Sequence, residues 1–167
     1  MSIERAGTND MEECLDILYT QELGMRYYPS RKLLREELIK SCSASEIFVK
    51  KITMSEGDSI EHKILGIIWY QQEGMFHSFP YLHMIAVRKD CRNQGVGAEL
   101  LQFLEDETLK NGKNKIRTKI FLTVGDFNKN AEVFYRNRGY IELCKLEDLF
   151  RKGITESLLM KIITAKV

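Results

Sequence analysis

Apolar positions recur with two different periods along this chain, and the order in which those periods alternate predicts its elements. Ser2 to Ala6 alternates weakly, as a short strand does. Thr8 stands where a helix N-cap is expected, and Met11, Cys14, Leu15 and Leu18 follow at helical spacing. Tyr27-Tyr28-Pro29-Ser30 breaks that helix. Ser30 then caps a second one, whose apolar stripe is Leu33, Leu34, Leu38 and Ile39. Residues 46–54 alternate around Ile47, Val49 and Ile52, the run from Ser55 to Ser59 has turn chemistry, and residues 63–71 return as the second strand of a hairpin. Residues 79–87 are mostly apolar, which predicts a central strand covered on both faces. Residues 97–111 form an amphipathic helix with Leu100, Leu101, Leu104 and Leu109 inward. Strand character resumes over 115–124, a short helix over 130–138 ends at Gly139, and 140–145 and 157–163 read as closing strands. The order β-α-α-β-β-β-α-β-α-β-β is a mixed α/β pattern, hairpin-rich in front and β-α-β-α-β behind.

Composition narrows this further. The 167 residues suit one domain, and no repeat or linker divides them. Lys and Arg number 25 against 24 Asp and Glu, a net charge of +1. That balance argues against a dedicated nucleic-acid binder, which carries a marked basic excess. No apolar run approaches the ~20 residues of a membrane span, and the first residues lack the apolar core of a secretory signal. A cytoplasmic chain is expected, with no membrane partner. Cys14, Cys42, Cys91 and Cys144 are scattered, with no zinc-type spacing, so they read as reduced thiols and no metal site is expected.

The stretch that carries chemistry begins as the apolar strand ends. After Ile85-Ala86-Val87 comes a short polar loop, Arg88 to Gln94, and then Gly95-Val96-Gly97-Ala98 opens a helix. Glycine lets the backbone approach a ligand closely. The first N–H groups of a helix lack intrahelical partners and carry partial positive charge, so such a turn can hold a pyrophosphate. Alone, the two glycines read first as a tight strand-to-helix turn. No Gly-Lys-Ser/Thr follows, and Leu100 stands where a dinucleotide fingerprint has its third glycine.

Two blocks together resemble the GCN5-related N-acetyltransferases. Arg92-Asn93-Gln94-Gly95-Val96-Gly97 matches that family's R/Q-x-x-G-x-G/A loop. Asn128-Lys129-Asn130-Ala131-Glu132-Val133-Phe134-Tyr135, followed by Gly139-Tyr140, is similar to its N-x-x-A-x-x-F-Y-x-x-x-G-F/Y element. The blocks come in the right order, with a helix and a strand between them. The resemblance covers roughly residues 46–163, and residues 1–45 fit the family's variable helical front.

The resemblance implies one N-acetyltransferase domain over 1–167. Its fold is a mixed, mostly antiparallel sheet of six to seven strands flanked by about four helices, splayed between the strands at 79–87 and 115–124. The implied cofactor is acetyl-CoA. Its pyrophosphate falls to the main chain of Arg92, Asn93, Gln94, Gly95, Val96, Gly97 and Ala98, and its pantetheine arm to the backbone of Ile85, Ala86 and Val87. Asn128 lies on the pantetheine side. Tyr135 sits near the thioester sulfur and is the candidate acid; read structurally it is a packing aromatic.

The candidate base is His83. Side chains two apart share a strand face, so Tyr81, His83, Ile85 and Val87 point together, and family members often carry carboxylates at the first two positions. The alternative is a satisfied histidine on a buried strand. The expected activity is acetyl transfer to the primary amine of a small molecule by direct attack in a ternary complex. Tyr28, Trp69 and Tyr81 are the candidates for holding the amine by packing and cation–π contact. Relatives that acetylate ribosomal-protein N-termini carry a glutamate on the next strand, where this chain has Thr123. A protein or peptide amine is the second reading, and a non-catalytic acyl-CoA-binding sensor is the third. A homodimer stays open.

Overall fold

The computed structural model describes residues 2–44, 46–56, 59–111 and 116–165; of residues 54–56 and 59–61 it describes the backbone only. The strands are β1 (Ser2–Arg5), β2 (Ile47–Glu56), β3 (Ser59–Met75), β4 (Phe79–Val87), β5 (Arg117–Gly125), β6 (Ile141–Glu147) and β7 (Thr155–Thr164). The helices are α1 (Met11–Tyr19), α2 (Glu22–Tyr27), α3 (Arg31–Ser43), α4 (Val96–Asn111) and α5 (Lys129–Arg136), with 3-10 turns at Thr8–Asp10 and Lys89–Cys91. Hydrogen-bonded neighbours run β1-β2-β3-β4-β5-β7-β6 in a seven-stranded sheet. The ladders from β1 to β3 and from β5 to β6 are antiparallel, and β4–β5 is parallel. This is a mixed α/β fold with a mostly antiparallel sheet.

The front differs from the sequence expectation in two places. Thr8 does not cap the first helix: it lies in a 3-10 turn that Gly7 precedes, the Gly7 N–H donating to Asp10 Oδ2 at 2.8 Å, and Asp10 stands at the N-cap of α1. The expected first helix is also two, so the described residues hold five helices where about four are expected. Thr20 Oγ1 donates to the Asp16 carbonyl at 2.7 Å and Gln21 Nε2 to the Ile17 carbonyl at 2.9 Å. These side chains satisfy the last carbonyls of α1 and end it there. Ser30 does cap α3, its Oγ accepting the Leu33 N–H. Gly57 and Asp58 of the expected turn, and Lys115 at the expected start of β5, lie outside the described residues.

The chain divides into two compact units, residues 1–69 with 84–104 and residues 70–83 with 105–167. In the first, α1 and α3 bury Cys14, Leu15, Leu18, Leu34 and Leu38 with Ile47 and Val49 of β2, Ile67 of β3 and Ala86 of β4. Helix α4 begins directly on β3. A Cβ added to Gly66 would lie 2.9 Å from Val96 Cγ1 and 3.0 Å from Leu100 Cδ1, so only glycine lets that helix sit so close. In the second, β5 pairs with β7 from Arg117↔Thr164 to Gly125↔Glu156. Leu122 and Leu159, both fully buried, lie on the core face.

Strand β4 is not covered on both faces. Pro80, Leu82, Met84 and Ala86 are buried, whereas Phe79, Tyr81, Ile85 and Val87 are half-buried and His83 is exposed. Its ladder to β5 comprises Tyr81↔Phe121 and Leu82↔Leu122 and stops there, although both strands run on. Strand β3 enters β4 through a two-residue turn, with the Ser78 N–H donating to the Met75 carbonyl at 3.1 Å. Phe76 and His77 both adopt left-handed backbone, at φ 54° and 51°.

Candidate active site

The strand-to-helix loop belongs wholly to the first unit. Arg88 fixes its start. The Arg88 N–H donates to the Leu65 carbonyl at 2.9 Å, and Nε donates to the Ile64 carbonyl at 2.9 Å. Its guanidinium pairs with Glu13, which also accepts the Ile64 N–H at 3.0 Å. Because the Arg88 N–H faces β3, strand alternation turns the N–H and carbonyl groups of Val87 and Ile85 the other way. The Val87 carbonyl accepts from Gln21 Nε2 at 3.3 Å and Arg92 Nε at 3.5 Å.

The chain then passes through Asn93 at φ 59° and Gly95 at φ 84°, both left-handed. Gln94 Nε2 donates to the Asp90 carbonyl at 3.0 Å. Lys63 Nζ lies 2.8 Å from Asp90 Oδ2 and holds that carboxyl below its ordinary range. Helix α4 opens at Val96, and the Glu99 N–H returns to the Gly95 carbonyl at 3.0 Å. The N–H groups of Val96, Gly97 and Ala98 precede that bond, so they have no intrahelical acceptor. Asn93, Gln94 and Gly95 are exposed and Gly97 and Ala98 half-buried. This is a main-chain cradle for an anion at the positive end of a 16-residue helix.

One neighbour of this loop had no signal in the sequence. Lys50, on β2, is 3% exposed and pairs with Glu99 in the first turn of α4. Burial pulls its ammonium below the ordinary range. Strand alternation would put a surface residue there, and only the packed helix shows otherwise. Glu13 and Arg88 were equally invisible, being 75 positions apart.

The second unit holds the hydroxyls. Tyr81 Oη lies 2.9 Å from Thr123 Oγ1, and its ring meets His83 edge-on with centroids 4.8 Å apart. Gly74 leaves that ring its room, because an added Cβ would come 3.0 Å from Tyr81 Cβ. Burial raises the Tyr81 phenol pKa; the Thr123 hydrogen bond opposes the rise, and the charge of Glu156 adds to it.

Asn128 caps α5, its Oδ1 accepting the Ala131 N–H at 3.3 Å. Gly139, at φ 85°, turns the chain after that helix. Tyr135 follows Asn128 by two turns. It is 8% exposed, packs edge-on against Phe134 and Tyr140, and its hydroxyl has no hydrogen-bond partner among the described residues. Burial pushes this phenol well above its ordinary value; Arg138 pulls against that and the nearby Tyr81 adds to it. A phenol so placed keeps its proton and has it free to donate.

A family model described as the acetyltransferase (GNAT) family matches residues 14–140. The chain belongs to the GNAT acetyltransferase family. No curated protein matches it in sequence. Solved structures share the GNAT fold at low identity. Ard1 from Thermoplasma volcanium aligns with a TM-score of 0.73 at 16% identity, over 98% of each chain. The ribosomal-protein-alanine N-acetyltransferase from Brucella melitensis gives 0.71 at 18%, over 98% of this chain and 100% of that one. A chain of the NatC complex bound to Gag peptide and CoA gives 0.69 at 13%, over 99% and 98%.

This GNAT protein is thus an acetyltransferase, and members of its family use acetyl-CoA. Its loop residues 92–98 lie on one continuous turn, and Tyr81, His83 and Thr123 come together on one sheet face. Trp69 is 4% exposed in the first unit's core, and Tyr28 packs against that core. Among the described residues no group of His, Cys, Asp and Glu could hold a metal, and no helix is long and apolar enough to cross a membrane.

Proposed function

We propose that the protein transfers the acetyl group of acetyl-CoA to the primary amine of a small molecule. The observation that carries this is Tyr135: a buried phenol with an uncommitted hydroxyl, on the helix that Asn128 caps, in a chain of the acetyltransferase family. The anion cradle at the start of α4 fits a pyrophosphate. Three main-chain N–H groups are unclaimed there, and Gly95 brings no side chain into a left-handed turn. Residues 92–98 would hold the phosphates, and the outward main chain of Ile85 and Val87 would bind the arm that carries the acetyl group. When bound, acetyl-CoA supplies an activated acyl carbon and a thiol leaving group.

The chain's own residues then have three tasks. Tyr135 holds the proton that a leaving sulfur needs. The neutral Tyr81 hydroxyl and its partner Thr123 offer a hydrogen-bonding pair for the attacking amine. His83, exposed beside Tyr81, is positioned to take a proton from that amine, directly or through water. No cysteine belongs to these groups, so attack is direct, without an acyl-enzyme.

Thr123 supports the small-molecule reading, because it stands where relatives acting on ribosomal-protein N-termini carry a glutamate. The Brucella relative's name keeps a peptide amine as the second reading. Thermal unfolding with and without acetyl-CoA is the first test, with ATP and NAD as controls. At ~100 times the dissociation constant, binding adds about 2.7 kcal/mol, which raises the midpoint roughly 5–10 °C. A rise with acetyl-CoA alone is expected; no rise at saturation defeats the proposal. A screen of CoA release then separates the readings, since turnover with peptides but with no small amine selects the second.

A further inference from the structure

Strand β2 carries a lysine under the first turn of α4. Antiparallel partners share a face, as do residues two apart on a strand. Lys50 pairs with Gly66 of β3, the glycine that lets α4 approach the sheet. Phe48, two positions before Lys50, packs against Phe103 of α4 with ring centroids 4.9 Å apart. Lys50 therefore faces the same helix one turn nearer its start, and there it meets Glu99. All of these residues belong to the first unit.

The two partners differ in exposure. Lys50 is 3% exposed, whereas the Glu99 side chain is 55% exposed. Glu99 Oε1 lies 3.8 Å from the point where a Cβ on Gly95 would stand, so this carboxylate borders the anion cradle. Asp90, the other acid between Arg88 and Glu99, has its own lysine partner in Lys63.

A carboxylate in a first helical turn suits the empty helix, but beside the cradle it repels a phosphate. The ammonium beneath it opposes that repulsion from the packed base of the helix, where screening is weak. Stability gives little reason for such a pair, since well-packed apolar residues often replace a buried ion pair without loss. An apolar side chain at position 50 would leave Glu99 charged and uncompensated at the edge of the cradle.

We propose that Lys50 is a positioning residue for cofactor binding: it holds the Glu99 carboxylate against the sheet and cancels its charge, so that the start of α4 accepts a pyrophosphate. The inference rests on the acetyl-CoA reading above and deepens it. Being buried, Lys50 acts through Glu99 and not by touching the phosphates.

Calorimetry on Lys50→Met, which keeps the unbranched chain and removes the charge, tests this. Kd for acetyl-CoA should rise about 10-fold at low salt and by less at high salt. Kd for S-acetylpantetheine, which has the same arm and no phosphate, should change less than about 2-fold. Adding Glu99→Gln to Lys50→Met should return acetyl-CoA affinity to within about 3-fold of wild type. Equal losses for both ligands, or no recovery in the double variant, would make Lys50 structural and overturn the inference.

Glu99→Gln alone provides an arm that does not depend on the folding of Lys50→Met. It should bind acetyl-CoA more tightly than wild type, with S-acetylpantetheine unchanged, and weaker binding of acetyl-CoA overturns the inference. Inorganic pyrophosphate separates the inference from the reading beneath it. A wild type that binds pyrophosphate but not acetyl-CoA, with Lys50→Met losing the pyrophosphate, supports the role of Lys50 and counts against the cofactor reading. A wild type that binds acetyl-CoA no better than Lys50→Met does defeats the inference and leaves the cofactor reading standing.

Discussion

The two units use their polar groups in different ways. In the first, the groups left without intrahelical partners are main-chain N–H groups at the start of α4, and the charged side chains around them serve as struts. Glu13 and Arg88 tie the loop's first residue to α1 and β3, Lys63 pairs with Asp90, and Lys50 pairs with Glu99. In the second, the distinctive polar groups are side-chain hydroxyls on Tyr81, Thr123 and Tyr135, and the main chain is consumed by the β5–β7 ladder. A main-chain site answers to the shape of the turn. A hydroxyl site answers to single atoms. The units should therefore fail differently when they are mutated.

The largest effect is expected at the turn. Gly97→Trp fills the cradle and should weaken acetyl-CoA binding at least about 100-fold by calorimetry; wild-type affinity would place the cofactor elsewhere. Next comes Tyr135→Phe, which removes one oxygen. Loss of a general acid costs about 100-fold or more in kcat, with acetyl-CoA affinity unchanged, and a variant with normal kcat would remove Tyr135 as the acid. Thr123→Val is milder. It takes away the hydroxyl partner of Tyr81, and steady-state kinetics should show kcat lower by about 3- to 10-fold, since one neutral hydrogen bond contributes about 1 kcal/mol.

The contrast extends to pH. Burial raises the phenol pKa values of Tyr81, Tyr135 and Tyr140 in the second unit. A raised folded value favours the protonated form, so its stability contribution is complete below the unfolded value near 10 and is lost as pH climbs beyond it. Cys14, buried in the first unit, acts in the same direction from about pH 9. Urea unfolding across pH 8–11 should show stability falling above about pH 9–10. Tyr140→Phe should flatten the part above pH 10, and an unaltered slope would show that Tyr140 does not contribute.

What could be read from the sequence follows the same division. The strand-to-helix turn was legible because it leaves a spacing signature: Gly95 and Gly97 at the end of an apolar strand. The helix that carries Tyr135 was legible with Gly139 as its stop, whereas the cap at Asn128 showed only in the structure. Strand β4 was found with its correct ends, but its open face was not, because Phe, Tyr, Ile and Val look the same whether covered or waiting for a ligand. The split between α1 and α2 rests on Thr20 and Gln21 bonding back to carbonyls, a choice that composition does not announce. Lys50 was missed for a related reason. A charged residue in a strand reads as solvent-facing until register and packing show that it is buried.

The β3–β4 turn bears on the protein's margin of safety. Left-handed backbone at two successive positions suits Asn-Gly, yet Phe76 and His77 occupy them. Such residues cost about 1–3 kcal/mol each, which is considerable against the 5–15 kcal/mol that separates a folded domain from its unfolded chain. The exposed ring of Phe76, set against Phe121, is therefore kept at the expense of robustness. An engineer seeking a hardier protein has an opening here that leaves the buried core untouched.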